Sequence, residues 1–247
     1  KLTYYLYTII LFTAISCSNT KYLPRGEKLY IGGDVKIKGD SIKKSESKAL
    51  RNELKGLLRP KPNSSFLGLR FKLFAYNIAG TPKKRKGLRN WLKNKIGEPP
   101  VLASAANLQK NQVILQNRVE NKGYFQAIVS GDTSSKNLRV KALYTAQIGS
   151  QYFINAVTFP TNTSSALEKE VAATANKTIL KSGDAYNFDV IKGERDRIDQ
   201  TLKEKGFYFF GPDYLIVRVD STIGNHRVNL YVDIKPTTPI QARQVYT

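Results

Sequence analysis

A chain of 247 residues with 41% hydrophobic content can bury the cores of one or two domains, and it carries a formal net charge of +21. With one cysteine and one histidine, it has no means of building an intramolecular disulfide framework or a Cys/His metal cluster. So large a positive charge points to an anionic partner or surface.

The chain opens on a targeting segment. Lys1 precedes an apolar run from Leu2 that closes on Ala14-Ile15-Ser16-Cys17, a positive start followed by apolar and then small residues, as in a secretory signal. The run, about fifteen residues, is short for a spanning helix, which needs roughly 20. Small-x-small-Cys is the bacterial lipoprotein pattern. The expectation is a signal peptide over 1–16, a covalent lipid on Cys17, and a tether over 17–28.

A strand is predicted over Leu29–Lys38, then a helix over Ser45–Leu58 with Leu50, Leu54, Leu57 and Leu58 on one side. Between Glu53 and Glu98 there is no acidic residue, yet there are twelve Lys or Arg. Within that stretch Leu67, Phe71, Phe74, Ala75 and Ile78 fall at helical spacing and predict a helix over Ser65–Ala79. Leu88, Trp91, Leu92 and Ile96 make a second apolar stripe, with Arg85, Lys86, Arg89, Lys93 and Lys95 on its other faces. A basic amphipathic helix with Trp on its apolar side suits an anionic membrane surface. Lys83, Lys84, Arg85, Lys86, Arg89 and Trp91 are therefore candidates for docking to a membrane or a partner. The plainer alternative is a packed helical insertion with a solvated charged face. Export from the cytoplasm argues against nucleic acid.

The second half contains a repeat. Leu115 to Phe125 recurs as Ile198 to Tyr208, each copy a helix end, a glycine (Gly123, Gly206) and aromatic residues. Gly at these C′ positions supplies the positive φ a helix stop requires. Strands are expected over Tyr124–Val129 and Phe207–Val219, polar turns at Gly131–Ser135 and Asp220–Asn225, and second strands over Leu138–Ala146 and Arg227–Ile234. A loop of Gly then acid precedes each repeated helix: Gly97-Glu98-Pro99-Pro100 and Gly183-Asp184-Ala185-Tyr186. Extending the second copy backwards adds a strand over Tyr152–Phe159 and a helix over Ser165–Leu180. The fold class is therefore α+β, built of tandem strand–helix–helix–strand–strand units over 29–149 and 150–236. The first carries a basic insertion over 59–97, and 237–247 starts a further unit.

Nothing in the sequence argues for catalysis. His226 has no second His or Cys beside it. Asp196 with Asp199, and Glu194 with Arg197, read as solvated helix charges. No enzyme activity and no cofactor or metal is expected.

This order of elements resembles POTRA domains, the periplasmic modules that precede the barrel of outer-membrane assembly factors in the BamA/TamA superfamily. With a lipoprotein signal in front, the chain is similar to the TamA-like lipoproteins, TamL type, of Bacteroidetes-like bacteria. The matching stretches are Cys17 to Pro24, Gly97 to Val101, Asn121 to Phe125 and Glu194 to Ile198. The resemblance implies an outer-membrane protein anchored by lipid on the periplasmic side, with a barrel following Thr247. It implies partners that are unfolded or barrel-forming polypeptides and other envelope assembly proteins. In that family an incoming strand pairs with an exposed sheet edge, and the implied edge residues here are Phe125, Val129, Tyr214 and Val217. The rival reading is a stand-alone envelope lipoprotein that bridges membranes or binds a polyanion through Arg59–Ile96.

Overall fold

The computed structural model describes residues 18–39, 41–82, 84–161 and 163–246. The signal segment, the lipidation candidate Cys17 and the docking candidate Lys83 lie outside the described residues.

Two compact units divide the chain. The first comprises the residues up to Lys38, Lys44–Leu115 and Val129–Ala146, and the second comprises Gly39–Lys43, Gln116–Ile128 and Gln147 onward. In the first, strand β1 (Leu29–Lys38) is followed by helix α1 (Lys44–Leu57). A helical insertion follows, holding α2 (Phe71–Ala79) and the short α3 (Leu88–Trp91). Helix α4 (Leu108–Asn121), which from Gln116 on belongs to the second unit, then leads into the hairpin of β2 (Ile128–Lys136) and β3 (Arg139–Gln147). The sheet order is β1-β3-β2. Along β3 every second side chain, Ala142, Tyr144 and Ala146, is buried, the period a one-sided sheet imposes. Leu50 and Leu54 of α1 and Leu115 of α4 are buried as well.

The second unit repeats the plan with β4 (Phe153–Thr158), α5 (Ala166–Ala173), α6 (Phe188–Glu204), β5 (Leu215–Asp220) and β6 (Arg227–Ile234). Its sheet order is β4-β6-β5, with β4 parallel and β5 antiparallel to β6. Leu167 and Val171 of α5, Ile198 and Leu202 of α6, and Val232 of β6 form one buried cluster. The fold is thus α+β in tandem strand–helix–helix–strand–strand units, as the sequence pattern requires.

Several boundaries differ from the sequence pattern for local reasons. The residues after Gly123 form a turn rather than a strand, because the Tyr124 N–H donates to the Val119 carbonyl and the Ala127 N–H to that of Tyr124. Strand β2 therefore starts at Ile128 and runs through the polar stretch expected to be a turn; the hairpin turns at Asn137, whose φ is 53°. Polar residues suit β2 because all of it except Val129 is exposed. Likewise Phe207–Tyr214 is a series of turns that buries Phe207 and Phe210 before β5 begins. Helix α5 starts on a capping box, with Ser165 Oγ accepting from the Glu168 N–H and the Ser165 N–H donating to Glu168 Oε2. It ends at Ala173, and a 3-10 turn over Thr174–Lys177 replaces the rest of the expected helix.

Two glycines join helix to sheet in equivalent ways. Gly123 has φ of 85° and Gly206 of 90°. A Cβ at Gly123 would come within 3.0 Å of the Tyr186 carbonyl oxygen, and one at Gly206 within 2.9 Å of that of Tyr246. The Gly123 carbonyl accepts from the Tyr152 N–H and the Gly206 carbonyl from the Tyr246 N–H, both at 2.9 Å. Conformation and space both select glycine here.

Candidate functional site

Each three-stranded sheet has two outer strands, and in both units one outer strand is covered by the chain itself. Alongside β1, the Tyr30 N–H donates to Val101 O and the Ala103 N–H to Lys28 O, both at 2.8 Å, around a bridge between Leu29 and Leu102. Alongside β4, the Ile154 N–H donates to Asp184 O and the Gly183 N–H to Ile154 O, again at 2.8 Å, around a bridge between Phe153 and Ala185. These covers are the ends of the two Gly-then-acid loops that stood out as a repeat in the sequence. Among the described residues, β2 pairs only with β3 and β5 only with β6.

The phase of β5 follows from one bond. Tyr214 O accepts from the Lys235 N–H at 2.8 Å, and in an antiparallel ladder bonded and non-bonded pairs alternate. Given the register Leu215↔Ile234 to Asp220↔Asn229, Ile216, Arg218 and Asp220 bond to β6. The N–H and C=O groups of Leu215, Val217 and Val219 then point to the open side. Ile216 and Val219 also expose apolar side chains. The strand is held flat against β6 by Arg218, which donates to Asp233 Oδ2 at 3.0 and 2.6 Å and stacks over Tyr231.

The four edge candidates therefore separate. Val217 lies in β5 with its backbone toward the open side, its side chain packed on the core. Val129 lies in β2 with its side chain buried. Tyr214 precedes β5, its carbonyl is taken by Lys235, and its ring meets Phe210. Phe125 is outside both strands: its ring centroid is 4.8 Å from Tyr152 and 4.9 Å from Tyr186, inside the aromatic packing of the second unit. The aromatic-rich stretch suggests a strand at 124–129, but the tight turn after Gly123 directs Phe125 inward.

The basic insertion is the second candidate. Its start is pinned by the buried Asn111 of α4, which accepts from the Arg59 N–H at 3.0 Å and donates to Arg59 O at 2.6 Å and to the Tyr144 hydroxyl at 3.1 Å. Its end is closed by Ser64, whose hydroxyl and N–H both donate to Glu98 Oε2. Helix α2 begins at Phe71 rather than Ser65 because Phe66 and Leu69 exchange two 2.9 Å backbone bonds around Leu67 and Gly68. Both central residues have positive φ, 50° and 80°, the type I′ pattern that favours Asn-Gly. A leucine there costs about 1–2 kcal/mol.

Helix α3 continues into a π turn, Leu92–Ile96, that packs on α2. Lys93 Nζ donates to Gly80 O at 2.8 Å and lies over the Tyr76 ring. Asn90 Nδ2 donates to Arg85 O at 2.6 Å and holds the loop before α3. Lys84, Arg85, Lys86 and Arg89 are exposed, and so is Trp91. Ser18–Thr20 forms a turn of 3-10 helix against α2, with Asn19 buried and Asn77 Nδ2 donating to Asn19 O at 3.5 Å.

Most of the charges singled out on α6 are structural ties, and Asp196 alone among them stays solvated. Glu194 is fully buried, accepts from the Ile179 N–H at 3.0 Å and pairs with Arg197 at 2.6 Å. Asp199 is buried and pairs with Lys203, while Asp196 is exposed. Arg195 donates to the Pro212 carbonyl and pairs with Asp213. His226 occupies the turn before β6 with φ of 51°, its ring edge-on to Tyr152. Among the described residues no group of His, Cys, Asp or Glu could hold a metal ion, and no helix is long and apolar enough to cross a membrane.

No family model and no curated protein matches this chain. Among solved structures, it is similar to POTRA1-2 of the periplasmic domain of Omp85 from Anabaena, with 13% identity over 91% of this chain and 100% of that one and a TM-score of 0.40. It is also similar to Haemophilus influenzae BamA POTRA3-5, with 15% identity over 87% and 99% and a TM-score of 0.33. A third is BamA from Haemophilus ducreyi lacking POTRA domains 1-3, with 13% identity over 83% of this chain and 29% of that one and a TM-score of 0.41. The class of fold rests on the strand order and the repeated helix–glycine join described above.

Proposed function

We propose that this chain is the periplasmic, lipid-anchored POTRA region of an outer-membrane assembly factor of the TamA-like type. It receives unfolded or barrel-forming polypeptides by strand addition and works beside other envelope assembly proteins. Cys17 carries the lipid, and the basic insertion, through Lys83, Lys84, Arg85, Lys86, Arg89 and Trp91, faces an anionic membrane surface. The observation that supports the reading best is the asymmetry of the sheets. Among the described residues each covers one outer strand with its own loop, the other pairs as a strand on one side only, and β5 turns the backbone groups of Leu215, Val217 and Val219 away from β6. Backbone bonding supplies affinity with little regard for sequence, which suits a receptor of many clients. Binding alone is the activity.

The test is a photoreactive residue at Ile216, with the same residue at Phe125 as an internal comparison, exposed to an unfolded barrel protein. Adducts are expected at Ile216 and not at the packed Phe125. Adding Val219→Pro removes one outward N–H without touching the β6 ladder, since proline is tolerated on an open strand edge. Adducts at Ile216 should then fall severalfold. A folded protein that gives no adduct at Ile216, or adducts indifferent to Val219→Pro, would overturn the reading.

A further inference from the structure

Helix α2 packs Leu73 and Ala79 against the unit but leaves two large apolar residues on its other side in solvent. Leu73 and Asn77 face inward, whereas Phe71 and Ile78, seven residues apart on the opposite side, are exposed. The turn ahead of it puts Phe66 and Leu67 into solvent at 68% and 86% exposure, the latter in the left-handed region that a leucine adopts at a cost. The two backbone bonds between Phe66 and Leu69 hold that conformation, and they leave the leucine side chain in solvent. Helix α3 repeats the theme with Leu88 at 70% and Trp91 at 51% exposure. These exposed apolar side chains all lie within 54–97, the stretch with twelve Lys or Arg and no acid. Apolar side chains beside the exposed cations Lys84, Arg85, Lys86 and Arg89 match the two layers of an anionic bilayer surface, phosphates outside and acyl chains beneath.

A second observation points the same way. The turn Ser18–Thr20 packs on α2 through Asn19 and Asn77, so Asn19, two residues after Cys17 in sequence, is held on the insertion itself. We infer that the insertion is a membrane-embedding device, with the Phe66–Leu67 turn and Trp91 entering the acyl boundary of an anionic leaflet while Lys84, Arg85, Lys86 and Arg89 bind its phosphates. This rests on the membrane-facing role proposed above and adds to it which side chains leave water. A protein surface of acidic character would satisfy the cations equally but would offer no acyl chains, and the experiment separates the two.

Trp91 is the chain's single tryptophan and reports on its own position. The full chain would be mixed with vesicles of phosphatidylglycerol and phosphatidylcholine in equal parts, or of phosphatidylcholine alone, with and without bromine on the acyl chains. A second protein, Leu67→Trp in a Trp91→Phe background, reports on the turn. The N-terminal apolar segment is common to both proteins and to both vesicle types, so the emission isolates the insertion. Both tryptophans are expected to shift to the blue on anionic vesicles and to be quenched by the brominated chains, with neither change on phosphatidylcholine. A blue shift of Trp91 alone, without bromine quenching at position 67, would overturn embedding and leave the surface-docking reading intact. No response at either position on anionic vesicles would defeat both.

Discussion

Glu194 illustrates how much a single side chain holds in place. Its carboxylate is fully buried, receives the Ile179 N–H and pairs with Arg197, which also donates to Thr174 O. The segment between α5 and α6 is thereby fastened to α6. Removing one partner of a buried pair strands the other, so Glu194→Ala should destabilise the second unit by about 3 kcal/mol, read as a lowered urea midpoint. Asp34 does a comparable job in the first unit, where β1 meets Arg51 and Lys55 of α1 and Lys141 of β3. Burial alone would raise its carboxyl, but the Arg51 hydrogen bond, the Val35 N–H and the neighbouring charges together hold it down to about 2, against an ordinary 3.8. A depressed carboxyl stabilises the fold above its ordinary value and loses that contribution as the pH falls. Stability of the native chain should therefore decline between about 4 and about 2, and Asp34→Asn should flatten that limb while lowering the neutral-pH midpoint. An unchanged acid limb in the variant would remove Asp34 from this role. At Gly123 and Gly206 alanine meets both a positive φ and a carbonyl oxygen within 3.0 and 2.9 Å. Each substitution should cost about 1–3 kcal/mol.

At the scale of elements, hydrophobic period and the helix–glycine repeat made the strand–helix–helix–strand–strand order legible. Those signals come from burial on one face, which repeats along a chain. What the period does not carry are the joins. The turn after Gly123 and the broken end of α5 depend on single hydrogen bonds, so strand and helix ends there moved by several residues. Asn111 is a further case: apolar periodicity passes over a buried asparagine on α4 whose task is to bond Arg59 and Tyr144. Replacing it by alanine leaves the Arg59 N–H and carbonyl without their partner and should cost about 1–3 kcal/mol, measurable as a lower melting temperature. The candidate site was legible in part. Val217 lies in the outer strand β5 and Trp91 is exposed on α3, whereas Phe125 packs inward because adjacent aromatic residues are equally the mark of packing. The i, i+4 spacing of Leu67 and Phe71 extends the helical pattern back over Phe66 and Leu67, where the backbone bonds between Phe66 and Leu69 make a turn instead. The Leu67-Gly68 dipeptide, with glycine at a turn position, was the available clue.

For the molecule as a whole, charge and backbone bonding act in different places. Twelve of the forty Lys and Arg lie in the acid-free stretch of the first unit, while the open strand β5 belongs to the second. The proposed client binding depends on main-chain N–H and C=O groups, whose strength salt scarcely alters. The proposed membrane docking depends on exposed cations meeting lipid phosphates, worth about 1 kcal/mol per Lys or Arg near the surface and screened over about 10 Å at 0.1 M salt. Raising salt should therefore reduce the Trp91 blue shift on anionic vesicles severalfold and leave the yield of adducts at Ile216 within about twofold. Conversely, Val219→Pro should reduce the adducts and leave the vesicle response unchanged. If both activities fell together with salt, client capture would itself be electrostatic. The basic insertion, rather than β5, would then be the binding surface, as the polyanion reading requires.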